Sequence, residues 1–171
     1  MYAHRSGTGR PILLVPGLGS TWESWAPILP GLRARREVVA VDLPGFGETP
    51  PLPGEVSIAA LTDSVESFVT DHGLTGVDLV GSSMGGRIVL EMARRGATGT
   101  TVALDPGGFW GDAGARYLDL SLRASIRLVR RLQPVLPAIV GNPAGRTALL
   151  SQLSARPWAL PRQVVLRALR S

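Results

Sequence analysis

Val77-Asp-Leu-Val-Gly-Ser-Ser-Met-Gly-Gly86 decides how this 171-residue chain is read. Its first four residues, apolar but for Asp78, make a run of strand length, and an apolar helical pattern follows Gly86. Gly81, Ser83 and Gly85 therefore form G-x-S-x-G at a strand-to-helix junction, the setting in which that motif carries chemistry. So abrupt a turn forces the central serine into a strained backbone conformation, and side chains two residues to either side would collide. The strain presents the Ser83 hydroxyl at a helix N-terminus, where the dipole favours developing negative charge. The backbone N–H of Met84 would then point at an oxyanion. A structural glycine turn is the alternative reading, and the flanking strand and helix argue against it.

Outward from this segment, three further runs resemble buried strands: Ile12–Val15, Val38–Val41 and Thr101–Leu104. With Val77–Val80 they are β-branched or aliphatic and bounded by glycine or polar residues, as parallel strands covered on both faces should be. A helix is predicted between the second and third strands, with Ile58, Leu61, Val65, Phe68 and Val69 on one face. Ser57 is its expected N-cap and Gly73 its terminator. Arg87–Arg95, closed by Gly96, lies between the third and fourth. Alternating strands and helices predict an α/β fold with a doubly wound, mostly parallel sheet.

Beyond Asp112 the pattern becomes purely helical. Leu118, Leu122, Ile126, Val129 and Leu132 suit one amphipathic helix, and Asn142-Pro143 reads as the N-cap and first residue of a second. A third is expected to begin at Pro161 and run to Ser171.

Composition narrows the classes. There is no cysteine, hence no disulfide and no thiolate metal site or nucleophile. No metal cluster or nucleotide-binding loop is present, and no cofactor is expected. No apolar run nears the roughly 18 residues of a membrane span, and Met1–Arg10 lacks the apolar core of a signal peptide, so a cytoplasmic location is expected. All 18 basic residues are arginine. Residues 1–112 carry 8 arginines and 12 carboxylates, a charge of −4; residues 113–171 carry 10 arginines and only Asp119, a charge of +9. Basic helices bind anionic lipid or nucleic acid. No nucleic-acid motif accompanies the charge, so no nucleic-acid partner is expected, and the favoured reading pairs these arginines with carboxylates elsewhere in the protein.

With these segments in view, the chain resembles the α/β-hydrolase family. Ile12-Leu-Leu-Val-Pro-Gly-Leu-Gly19 is similar to the family's strand and oxyanion loop, with Pro16 where histidine is common. Asp42-Leu-Pro-Gly-Phe-Gly-Glu-Thr49 is similar to its Asp-x-Pro-Gly-x-Gly-x-Ser loop, and Leu104-Asp-Pro-Gly-Gly108 to the end of the strand after the nucleophile helix. The resemblance implies an N-terminal portion of the core over residues 1–112 and the start of a helical cap, or lid, over 113–171, with the C-terminal strands absent.

It further implies a serine hydrolase of esterase type acting on ester-like or carbon–carbon bonds of small acyl substrates. Ser83 would be the nucleophile, and the Leu18 and Met84 backbone N–H groups would form the oxyanion hole. Asp105 is a candidate acid, against the alternative of a carboxylate capping its own loop. Trp22, Phe109 and Trp110 are candidate pocket residues, against the alternative of plain core. Asp42 reads as a turn former. The family's histidine and usual acid follow the cap, so the chain is expected to stop before both. His72, at the far end of a helix, and His4, before the first predicted strand, are not read as catalytic. Two further readings remain: a non-catalytic binding module, and a fragment completed by a second chain or by self-association at the sheet edge after Leu104.

Overall fold

The computed structural model describes residues 1–97, 99–151 and 154–169, with only the backbone of residues 167 and 168. By packing, the chain divides into two compact units, Met1–Phe109 and Trp110–Ser171.

The first unit is built on five strands: β1 (Ala3–Ser6), β2 (Pro11–Val15), β3 (Glu37–Val41), β4 (Asp78–Ser82) and β5 (Thr101–Leu104). Their order is β1-β3-β2-β4-β5; β1 is antiparallel to β3, and the other pairings are parallel. The two-residue period of a strand sorts the side chains by face. Leu13 and Val15 of β2 join Val39, Val41 and Leu79 on one side, under Leu61, Val65 and Phe68 of α2 (Ile58–Asp71) and Ile88, Val89 and Met92 of α3 (Met84–Arg94). Ile12 and Leu14 join Val38 and Ala40 on the other, under Trp25 of a 3₁₀ turn (Trp22–Trp25) and Leu29 of α1 (Leu29–Arg33). Each buried aliphatic side chain stabilises by about 1.5–3 kcal/mol. The sheet is thus doubly wound, as expected.

Helix α2 follows its sequence signals. The Ala60 N–H donates to Ser57 Oγ at 3.1 Å, and Gly73 follows the C-terminus at φ +64°. Two expectations need correction. The segment containing His4 is strand β1, although Ala-His-Arg-Ser has no apolar pattern; at an edge, pairing with Val38–Val41 specifies the strand. Strand β5 is not covered on both faces. Ala103 packs on the α2/α3 core, whereas Val102 and Leu104 are 43% and 45% exposed. A strand at an edge beyond the reach of α1 keeps one apolar face open.

The second unit holds α4 (Asp112–Leu132), α5 (Leu136–Gly141), α6 (Pro143–Leu150), a 3₁₀ turn (Pro157–Ala159) and α7 (Arg162–Ala168) around Leu136, Val140, Leu150 and Val165. Asn142 caps α6, its Oδ1 accepting from the Ala144 N–H at 2.9 Å. The short α5 was not anticipated. Six residues including a proline are too few to show a period. The expected continuation of the last helix to Arg170 and Ser171 lies outside the described residues. Among the described residues, no helix is long and apolar enough to cross a membrane.

Candidate active site

Four successive apolar or small residues carry β4 to Ser82, and α3 begins at Met84, leaving one residue for the reversal. That residue, Ser83, has φ 53° and ψ −114°, an uncommon conformation for a side-chain-bearing residue. Its backbone is held from three directions. The Ser83 N–H donates to the Leu104 carbonyl at 2.9 Å, and the Ser83 carbonyl accepts from the N–H groups of Arg87 at 3.1 Å and Gly107 at 3.3 Å. Gly81 and Gly85 are required by close approach. A Cβ on Gly81 would fall on the Gly85 carbonyl, and one on Gly85 would fall on the Val15 carbonyl. The end of β2 therefore lies directly against the start of α3.

The chain leaving β2 passes beside the serine. A Cβ placed on Gly17 would stand 3.3 Å from Ser83 Cβ and 3.9 Å from its Oγ. This brings Pro16-Gly17-Leu18 alongside the hydroxyl. Ser83 and Leu18 are exposed, and Met84 is half-buried. Among the described residues, the N–H groups of Leu18 and Met84 donate to no protein acceptor. Gly17, Arg87 and Gly107 were not singled out in the sequence. Their contribution is backbone contact, and the only signal for it is that Gly17 and Gly107 lie within the quoted 12–19 and 104–108 segments.

The structure accounts for the other candidates one by one. Asp105 follows the Ser82–Leu104 pair by one residue, at φ 47°, and is exposed. Among the described residues its carboxylate accepts no hydrogen bond. Asp42 is 1% exposed and accepts from the Glu48 N–H at 3.1 Å within its own loop. It also accepts from the Trp22 N–H at 2.7 Å, tying the 42–49 loop to the segment after Gly19. Trp22 is half-buried and stacks on His4, ring centroids 4.0 Å apart and 5° from parallel. Phe109 and Trp110 are 78% and 53% exposed, so neither is core.

Neither histidine is at the elbow. His4 lies on β1, three places from β4, or about 14 Å at ~4.8 Å per strand. His72 Nδ1 lies 2.9 Å from the Phe68 carbonyl, which can only accept, so Nδ1 carries the proton there. The ring also stacks on Phe68 at the C-terminus of α2. Asp78, at the opposite end of β4, is held by Arg36 Nη2 at 2.6 Å and Arg10 Nη2 at 2.8 Å. The Arg36 hydrogen bond first, and the Thr100 N–H next, keep its carboxyl below the ordinary aspartate range. Five residues from Ser83 put it about 16 Å away along the strand. Among the described residues, no cluster of three or more histidines and carboxylates could hold a metal ion.

Known proteins resemble this chain in sequence and in fold. The description Alpha/beta hydrolase family matches residues 12–171. The dihydrolipoyllysine-residue acetyltransferase component of the acetoin cleaving system of Cupriavidus necator is 31% identical over 143 residues, 82% of this chain and 38% of that protein. The 2-hydroxy-6-oxo-2,4-heptadienoate hydrolase of Pseudomonas putida is 36% identical over 100 residues, 54% of this chain and 35% of that protein. The chain thus spans little more than a third of the length of these curated relatives. A solved thermophilic esterase from Thermogutta terrifontis shares the fold at TM-score 0.63 and 24% identity, covering 98% of this chain and 65% of that one. A strained serine between β4 and α3, glycines closed against β2, and a family match over nearly the whole length lead to one conclusion: the chain belongs to the alpha/beta hydrolase family.

Proposed function

We propose that this chain carries the nucleophile half of a serine hydrolase acting on ester-like or carbon–carbon bonds of small acyl substrates. The observation behind this reading is the conformation of Ser83, exposed at the start of α3 beside two backbone N–H groups that no protein acceptor uses. Ser83 Oγ attacks the acyl carbon and gives up its proton to a base; the carbonyl oxygen takes the negative charge, and Leu18 and Met84 donate to it. The leaving group departs with a proton, and water then releases the acyl group from Ser83. The names of the relatives from Cupriavidus necator and Pseudomonas putida, an acetyltransferase component and a dienoate hydrolase, favour acyl chemistry on small molecules.

His4 and His72 are both engaged away from the elbow, so the base comes from outside this chain's histidines. A further segment of the same protein or a complementing chain supplies it, and Asp105 is the candidate to orient it. Residues 113–171 are then the beginning of a cap. A second reading, a binding module that retains the elbow as architecture, draws on the same two engaged histidines.

Reaction of the 171-residue chain with a fluorophosphonate, followed by intact mass, tests the assignment. Modification of the wild type that disappears in Ser83→Ala supports the nucleophile. Equal modification of Ser83→Ala overturns it; a folded chain that is never modified means that the machinery is incomplete in this chain alone, and only stoichiometric ligand binding without modification favours the binding module.

A further inference from the structure

We propose that the side of α4 that carries Tyr117, Leu120 and Leu128 docks on a lipid bilayer surface rich in anionic phospholipid. None of the 21 residues of this helix is buried. Helices in proteins owe most of their stability to a covered amphipathic face. One side, formed by Leu118, Leu122, Val129 and Leu132, is already half covered.

The other side has two adjoining stripes. Tyr117, Leu120, Ala124 and Leu128 follow the three- and four-residue spacing of a single face, and all are exposed, the three large ones by 72%, 68% and 52%. Beside them run Arg116, Arg123, Arg127, Arg130 and Arg131, over about 22 Å of helix. Arg123 pairs with Asp119 at 2.8 Å; among the described residues the other four have no partner.

An anionic bilayer complements both stripes at once. Its phosphates meet the guanidinium groups while its acyl boundary takes the leucines, and the arginine stems lie along that boundary with their heads in water. Nucleic acid would satisfy the charges and leave Leu120 and Leu128 in water. The +9 charge of residues 113–171 draws the same surface toward a negative membrane. This docking does not depend on the role of Ser83.

The test is flotation of the full chain with phosphatidylcholine vesicles containing phosphatidylserine, against vesicles of phosphatidylcholine alone, with far-UV circular dichroism to confirm the fold of each variant. The wild type is expected to float with the anionic vesicles only. Arg127→Gln with Arg131→Gln should weaken binding about twenty-five-fold, at about fivefold per arginine. Leu120→Ser with Leu128→Ser should weaken it about tenfold or more. Absence of flotation with anionic vesicles overturns the proposal. So does binding that ignores Leu120 and Leu128, which would mean attraction by charge alone, as to an acidic protein segment or nucleic acid.

Discussion

At the scale of single residues, the elbow is a problem of atoms that must not be there. Gly85 has no room for a methyl group because the Val15 and Pro16 carbonyls occupy its place. Gly85→Ala should therefore cost about 1–3 kcal/mol by overpacking, read from urea unfolding, and the loss should exceed that of an alanine at Gly111, which faces open space. Asp42 is the opposite case, a buried group that must be present. Its carboxylate answers the N–H groups of Trp22 and Glu48, and Asp42→Ala leaves both donors unsatisfied. Each orphaned donor costs about 1–3 kcal/mol, so Asp42→Ala should lower stability by several kcal/mol by the same measurement. Ser83, G-x-S-x-G and the turn role of Asp42 were legible as residues. The link from Asp42 to Trp22 was not, because it joins positions twenty apart that meet only when β2 and β3 pair.

At the scale of elements, helices α2 and α3 are pinned by ions as well as by core. Arg95 bridges Asp63 at 2.6 Å and Glu66 at 2.8 Å on α2, and Glu91 at 2.9 Å on its own helix. Arg94 first, and then Arg95, lower the Glu91 carboxyl from 4.5 to about 2. A carboxyl whose pKa is depressed by folding contributes stability above its unfolded value and loses it as pH falls through the folded one. The stability advantage of wild type over Glu91→Gln should therefore be full above pH 4.5 and fade towards pH 2, as followed by melting temperature. The caps give a second check. Ser57→Ala removes the acceptor for the Ala60 N–H and should destabilise by about 1 kcal/mol. Helices α2, α3 and α6 were legible because caps and periods are local signals. Strand β1 and helix α5 were not, since one is made by its partner and the other is shorter than two turns.

At the scale of the whole molecule, β5 is an edge strand of the sheet among the described residues, and its Val102 and Leu104 are exposed. Such an edge is a template for pairing. Leu104→Lys should reduce concentration-dependent self-association in light scattering, while changing stability by no more than about 0.5 kcal/mol because the position is already exposed. Unchanged association would place the contact elsewhere.

The sequence by itself determined the α/β class, the parallel strands, the serine at a strand-to-helix turn, the helical character after Asp112 and the concentration of arginine there. These depend on the order and spacing of neighbouring residues, which a linear reading contains. The tertiary structure decided the rest. It set the sheet order, brought Gly17 against Ser83, stacked His4 on Trp22, and left Asp105, Phe109 and Trp110 exposed. Each of these is a contact, or a missing contact, between segments distant along the chain. Closing the backbone is what places them, and no local propensity encodes it.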